Sequence, residues 1–497
     1  MPGEGDPLTR ASKRAALAVA TFGAFMTPFD GSVVNLALPT IGRDFHSDVV
    51  ALGWIVTAYV LGLTICVIPF GRLADIRGRR RIYVAGVALF TAASACCGLA
   101  FSLASLIAAR FVQGVAAAMM AGNSIALLTS IFPQEERGKA LGIQTAAVYV
   151  GLSLGPSVGG FLVESLGWRS IFYVNLPIGL GVIALALTKV PRDAAQSRGE
   201  KLDFFGMVVW ALVLTLVLLG LTLSEMSGAP FSRTLVASGV ALLALFIFYE
   251  TRVASPLLDV RLFQNVAFAC STLTALLNYS AVFGVSFIMS LYLQVVSGFR
   301  PEHAGFIMLA QPVTMAALSP LSGRLSDRIQ PRILSSIGMA LVATSIFSLS
   351  RLTAESGALS IAARLVLLGV GHAFFSSPNV NATVSSVEKR RYGVAAALLS
   401  TFRFTGQAIS IAVSTSVLSA YVGGVAVSTA AASHIPIPAF MAGMKIALEI
   451  LGAICAMGIV TSLVRGRIRT AEKPDARKIA SAAGGAEAPP EKRNQRK

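Results

Sequence analysis

Chemistry in this chain would turn first on Asp30 and Arg110. Asp30 stands in FMTPFDGSVVNLALP (25–39), within an apolar run at 15–38. Arg110 stands in LIAARFVQGVAAA (106–118), within another at 104–131. An ionised side chain inside so apolar a run is costly unless it faces a cavity or a partner. Counting the rise of an α-helix, Asp30 lies about 13 Å from the far end of its run and Arg110 about 9 Å from the matching end of its own. Antiparallel helices would therefore bring the two to similar depth. Two readings of Asp30 follow: a proton or ligand-cation site, or a carboxylate held only as a structural ion-pair partner. A carboxyl group whose proton occupancy depends on how wet its surroundings are can serve as a coupling element.

Other polar groups accompany this pair. Gln113 follows Arg110 by one turn, and Asn35 follows Asp30 by five residues. Arg403 lies midway through a later apolar run, in STFRFTGQAIS (400–410), and is a further candidate for coupling or substrate contact. Arg364 is open to a structural role or to contact with substrate or an anion. Lys445 and Glu449 share one helix face at i,i+4 and read as a self-compensating pair. His372 is the one histidine within a span, equally readable as core or cavity lining.

Backbone-level devices form a second group. GLSLGPSVGG (151–160) places Gly151, Gly155 and Gly159 on one face at i,i+4, beside Pro156. Such a face lets another backbone approach closely, and the proline removes a hydrogen-bond donor and bends the helix. The spacing predicts a specialised helix interface that sets how the bundle opens. In GRLADIRGRRR (71–81), Gly71 permits tight contact at a helix end. Asp75 can accept from a helix N-terminus or from an arginine such as Arg79. Gly71 and Asp75 recur as Gly323 and Asp327 in GRLSDRIQPR (323–332), so both pairs are expected in an inner gate. For Arg79, Arg80 and Arg81 a pure topology signal is as good a reading.

The elements that carry these residues must be membrane spans. Hydrophobic residues make up 55% of the 497, charged ones 13%, and mean hydropathy is +0.72, which together point to a polytopic membrane protein. Continuous apolar runs, not alternating decapeptides, exclude a β-barrel. Fourteen runs are legible, at about 15–38, 49–70, 82–100, 104–131, 138–163, 168–189, 202–223, 233–250, 264–294, 303–322, 332–350, 358–380, 392–413 and 442–464. With the N-terminus inside, 32 of the 41 Lys and Arg residues fall in inside segments, five in outside loops and four within spans. That bias predicts both termini on the cytoplasmic side.

The chain also repeats itself. GRLAD at 71–75 returns as GRLSD at 323–327, and ARFVQGV at 109–115 as ARLVLLGV at 363–370. The expected organisation is a cytoplasmic segment 1–14, a six-helix bundle 15–189 and a linker 190–263 carrying two additional helices. A second six-helix bundle at 264–465 and a disordered tail at 466–497 complete it. The fold class expected is all-α, with fourteen transmembrane helices.

Several function classes are excluded. The net charge of +17 is strung through loops and tail, as topology requires, and not gathered on a nucleic-acid-binding surface. No phosphate-binding glycine loop is present, so ATP is not the energy source. Five scattered cysteines within apolar runs, with no CxxC, give no metal site, and no nucleophile–base set suggests an enzyme. A duplicated bundle with gate-like loops fits alternating access better than a channel.

These motifs resemble the major facilitator superfamily, and within it the fourteen-helix drug:proton antiporters (the DHA2 group), over about residues 15–465. GRLADIRGRRR is similar to the loop signature between helices two and three. LIAARFVQGVAAA is similar to the fourth-helix signature and GLSLGPSVGG to the antiporter signature of the fifth. FDGSVVNLALP, GWRSIFYVNLPIG (167–179) and TFRFTG (401–406) also look like that group. The resemblance implies proton-coupled export of amphipathic drugs, without cofactor, by a monomer in the cytoplasmic membrane whose partners are small molecules, protons and lipid. It further implies proton coupling at Arg110, a proton or cation carboxylate at Asp30, an inner gate at Gly71 and Asp75, and control of exchange geometry by Gly155 and Pro156. Export of one metabolite or siderophore is the alternative, and uptake a weaker one.

Overall fold

The structure is a computed structural model and describes residues 10–47, 49–191, 202–222, 229–253, 256–422 and 436–466. Among these, no strand occurs. The order of helices is α1 (Arg10–Phe45), α2 (Val49–Arg77), α3 (Arg79–Gly98), α4 (Leu103–Ile131) and α5 (Gln134–Leu166). A short turn Ser170–Tyr173 leads into α6 (Asn175–Lys189), followed by α7 (Phe204–Thr222) and α8 (Ala229–Glu250). Next come α9 (Val266–Leu291), the short helix Pro301–Met308 leading into α10 (Ala310–Ser326), α11 (Pro331–Leu349), α12 (Ala358–Ser385), α13 (Tyr392–Val422) and α14 (Ile437–Val464).

Among the described residues, twelve spans are long and apolar enough to cross a membrane, and α5 makes thirteen once its two parts, bent by 42° between Gly155 and Val158, are taken together. The shorter apolar helix at the start of α7, Phe204–Val217, stands where the remaining expected span was placed. Elements therefore coincide in order with the fourteen apolar runs. The polar tail beyond Gly466, Glu225 and His434 lie outside the described residues.

Local sequence explains the joints. Gly78 alone separates α2 from α3 and takes φ +100°, a conformation that a side chain would strain. Ser102 and Ser105 form a reciprocal capping box at the start of α4, and Asn265 accepts from the Ala267 and Phe268 N–H groups at the start of α9. Arg80 donates to the carbonyls of Ala186 and Leu187, so the start of α3 closes the last turn of α6.

Packing follows the internal repeat. Among the first six helices, α1 lies along α5 and α2 along α4; among the last six, α9 lies along α13 and α10 along α12. Helices α7 and α8 pair with each other, and α7 rests on α2 and α13 through Trp210, Val213 and Leu214. The two sets of six meet where α2 crosses α13 and α5 crosses α10.

Candidate functional site

Asp30 and Arg110 meet. The Arg110 Nη1 donates to Asp30 Oδ2 at 2.5 Å, and each residue is only 1% exposed. Two amides complete the cradle: Gln113 Nε2 donates to Asp30 Oδ1 at 2.9 Å, and Asn175 Nδ2 to the same oxygen at 2.9 Å. Gln113 also accepts from Arg110 Nη1 at 2.6 Å and donates to Ser94 Oγ at 2.8 Å. Arg110 Nε reaches the Ile55 carbonyl, and the guanidinium stacks over the Tyr59 ring, 4.3 Å from its centroid. Five helices, α1 to α4 and α6, thus contribute to one buried cluster. Both hydrogens of the Gln113 amide are committed, which fixes its orientation and leaves a carboxylate, not another donor, as the group that fits beside it.

The sequence reading pairs Asp30, Arg110 and Gln113 correctly in space, but Asn35 stands elsewhere. It is exposed, because five residues along a helix turn it about 140° from Asp30. The amide that does reach the carboxylate is Asn175, a residue of the VNLPIG stretch to which sequence reasoning gave no role. It is a buried asparagine opening an otherwise apolar span, and its type and position alone do not single it out.

Arg403 is half-buried, its guanidinium 4.8 Å from the Phe404 ring centroid and its Nε without a hydrogen-bond partner. It does not touch Asp30, although its charge acts on Tyr59, the ring beneath Arg110. His372 is buried in α12 with both ring nitrogens unpartnered, flanked by Tyr149 of α5 and Tyr279 of α9 at 5.9 and 5.4 Å between centroids. No ion pair joins Lys445 and Glu449, so the self-compensating reading of that pair does not hold here.

The glycine face of α5 seats α1 behind the carboxylate. A Cβ at Gly151 would lie 2.6 Å from the Phe25 carbonyl, at Gly155 2.4 Å from Ser32 Cβ, and at Gly159 2.8 Å from Val33 Cγ1. Ser32 donates to the Leu152 carbonyl across the same contact. This interface therefore lies within the first six helices. The bend of α5 falls at Gly155 to Val158, around Pro156.

Contact between the two sets of six lies toward the end that carries the basic loops. Asp75, at the end of α2, accepts from the backbone N–H groups of Gly393 and Val394 at 3.1 Å each, capping the start of α13. Arg79 Nη2 holds the same carboxylate at 2.9 Å and donates to the Lys389 carbonyl at 2.5 Å. Asp327, following α10, accepts from Gly138 at 2.7 Å and Lys139 at 3.0 Å, at the start of α5. Each repeated aspartate thus caps the fifth helix of the opposite set, where the helix dipole favours negative charge. Gly71 sits against Gly393 and Ala397, and Gly323 against Gly138 and Gly142. Burial raises the Asp327 carboxyl to about 6, outweighing the two backbone donors and Arg137.

Residues 20–411 and 269–483 match the Major Facilitator Superfamily, in two overlapping segments. The chain belongs to the major facilitator superfamily. It is 30% identical over 394 residues to the riboflavin transporter RibZ of Clostridioides difficile, covering 79% of this chain and 85% of that one. It is 35% identical over 402 residues to the multidrug resistance protein Stp of Mycobacterium tuberculosis, covering 80% and 74%. A solved structure of the proton:xylose symporter XylE is similar in fold, with a TM-score of 0.64 at 15% identity over 90% of this chain and 94% of that one. The protein is therefore a multi-span membrane transporter of the major facilitator superfamily, with efflux proteins among its relatives.

Proposed function

We propose that this transporter is a proton-coupled antiporter that exports amphipathic small molecules across the cytoplasmic membrane, working as a monomer with both termini inside. Its two six-helix units would be 15–189 and 264–465, with 190–263 as the insert. The observation that carries the reading is the dry ion pair of Asp30 with Arg110, cradled by Gln113 and Asn175. Proton binding to Asp30 neutralises it and removes the charge that orders Arg110 and both amides, so one proton can rearrange five helices at once. Alternating access then requires the contacts at Asp75, Arg79 and Asp327 to open and close. Gly71 and Gly323 let these contacts seal, and the Gly151, Gly155, Gly159 and Pro156 segment carries α1 with the rest. Arg403 faces the first half from the second and is assigned to substrate contact.

A second reading, export of a single compound, is favoured by the similarity to a riboflavin transporter. Proteoliposomes with an acid interior test both. A proton antiporter accumulates ligand inside and loses it when the gradient collapses. Ligand movement that ignores the pH gradient would sink the antiport reading. Accumulation of riboflavin but of no lipophilic dye would favour the second reading.

A further inference from the structure

At the basic-loop end, the two sets of six helices together line an open pocket of about 530 Å³. Its lining includes Lys13 of α1, Thr129 of α4 and Arg137 of α5, and from the other set Ser385, Lys389 and Tyr392. Three of these six are cationic and none is acidic. Arg137 is only 6% exposed, yet no carboxylate bonds to it. Its two Nη groups go to Ser385 Oγ and the Thr129 carbonyl at 3.1 Å each, and its buried Nε has no partner. Asp327 lies near enough to act on Arg137 but commits both oxygens to the Gly138 and Lys139 backbone. Glu136 pairs with Lys13 at 3.2 Å from an exposed position. A desolvated guanidinium with an open donor, beside two lysines and next to a helix start, is matched by a compact multivalent oxyanion.

We propose that this pocket is a binding site for a phosphate group, carried by a lipid headgroup or by a soluble phosphate, that clamps the two halves together at the basic-loop end. Arg137 would turn its unpartnered, now covered Nε toward one phosphate oxygen while Lys13 and Lys389 approach from opposite halves. Ligand bound across the contact is lost when the contact opens. Binding therefore favours the state closed at this end and slows its opening. The site does not depend on Asp30 or on the transported substrate.

The test uses the full-length protein. Inorganic phosphate is titrated in neutral detergent at constant ionic strength while the unfolding temperature is followed. In parallel, the protein is recovered from phosphatidylcholine nanodiscs with or without phosphatidylglycerol, and retained lipid is counted by native mass spectrometry. A saturable rise with inorganic phosphate supports a soluble source. One phosphatidylglycerol retained per chain, without a phosphate response, supports a headgroup. The Lys13→Gln/Lys389→Gln double variant changes two side chains that are not fully buried, and it should weaken whichever binding is seen at least tenfold. Arg137→Lys, which keeps the charge and loses the fork, should weaken it as well. Absence of both kinds of binding, or a loss of less than tenfold in the double variant, overturns the proposal.

Discussion

Replacing Asp30 by Asn removes one charge and almost no volume, so its effect isolates the electrostatics of the buried cluster. In the parent, Oδ1 accepts from Gln113 and Asn175 while Oδ2 accepts from Arg110. An asparagine has a single acceptor oxygen. Wherever that oxygen points, its NH2 group must face a donor, because both hydrogens of the Gln113 amide are already committed to Asp30 and Ser94. Breaking a buried pair by removing one partner costs roughly 3–5 kcal/mol, since the surviving charge loses its compensation. Arg110→Met alone should cost a similar amount by leaving the carboxylate unpaired. The Asp30→Asn/Arg110→Met double variant has no buried charge left at the site. It should therefore lose less than the sum of the singles by about 2 kcal/mol or more. The assay is reversible unfolding in mixed micelles titrated with SDS, read by helicity, on all four proteins. Additivity of the two single losses to within about 0.5 kcal/mol would refute the claim that the pair acts as a unit.

Three other outcomes follow from the same geometry. Gly71→Ala puts a methyl group 2.6 Å from Ala397 Cβ and 2.8 Å from the Gly393 carbonyl, so α2 and α13 must separate. Thiol labelling at Ser385→Cys, in a cysteine-free background, should become several-fold faster. Gly155→Ala forces Ser32 away from α5 and should cost roughly 1–3 kcal/mol of stability, seen as a lowered unfolding temperature in detergent. For Asp327, the closed contact raises the carboxyl to about 6, whereas an opened, hydrated carboxyl would keep its ordinary value near 3.8. The closed contact then binds a proton that the open one does not. Acidification from pH 7 to 5 should favour closure, and that contribution is lost as pH rises through 6. Ser385→Cys labelling should slow over that range by more than the fall in thiolate fraction alone, and Asp327→Asn should remove that excess.

Much of the fold is written in the physics of a hydrocarbon slab. Apolar runs of about twenty residues can only be spanning helices, and the displaced copies of GRLAD and ARFVQGV announce the duplication. The core of the site is equally legible, because two opposite charges at similar depth in a dry medium are driven to meet. Asn175 was not legible, since an uncharged amide is cheaper to bury and nothing in its neighbourhood forces a partner. Asn35 misled because nearness in sequence is not nearness around a helix. The glycine face of α5 announces a close approach but carries no label for the helix that approaches, and α1 proves to be that helix. Likewise, Asp75 and Asp327 declare themselves by recurrence, while the helix starts they cap are backbone groups that any sequence supplies.

The central claim is that Asp30 is the group whose proton is exchanged for substrate. Proton release on adding a transported ligand to purified protein in weakly buffered detergent, read with a pH indicator, tests it most directly. The parent should release protons in a fixed ratio to ligand bound, and Asp30→Asn should bind ligand and release none. Equal release per ligand from Asp30→Asn and the parent would contradict the account and move the coupling site away from α1.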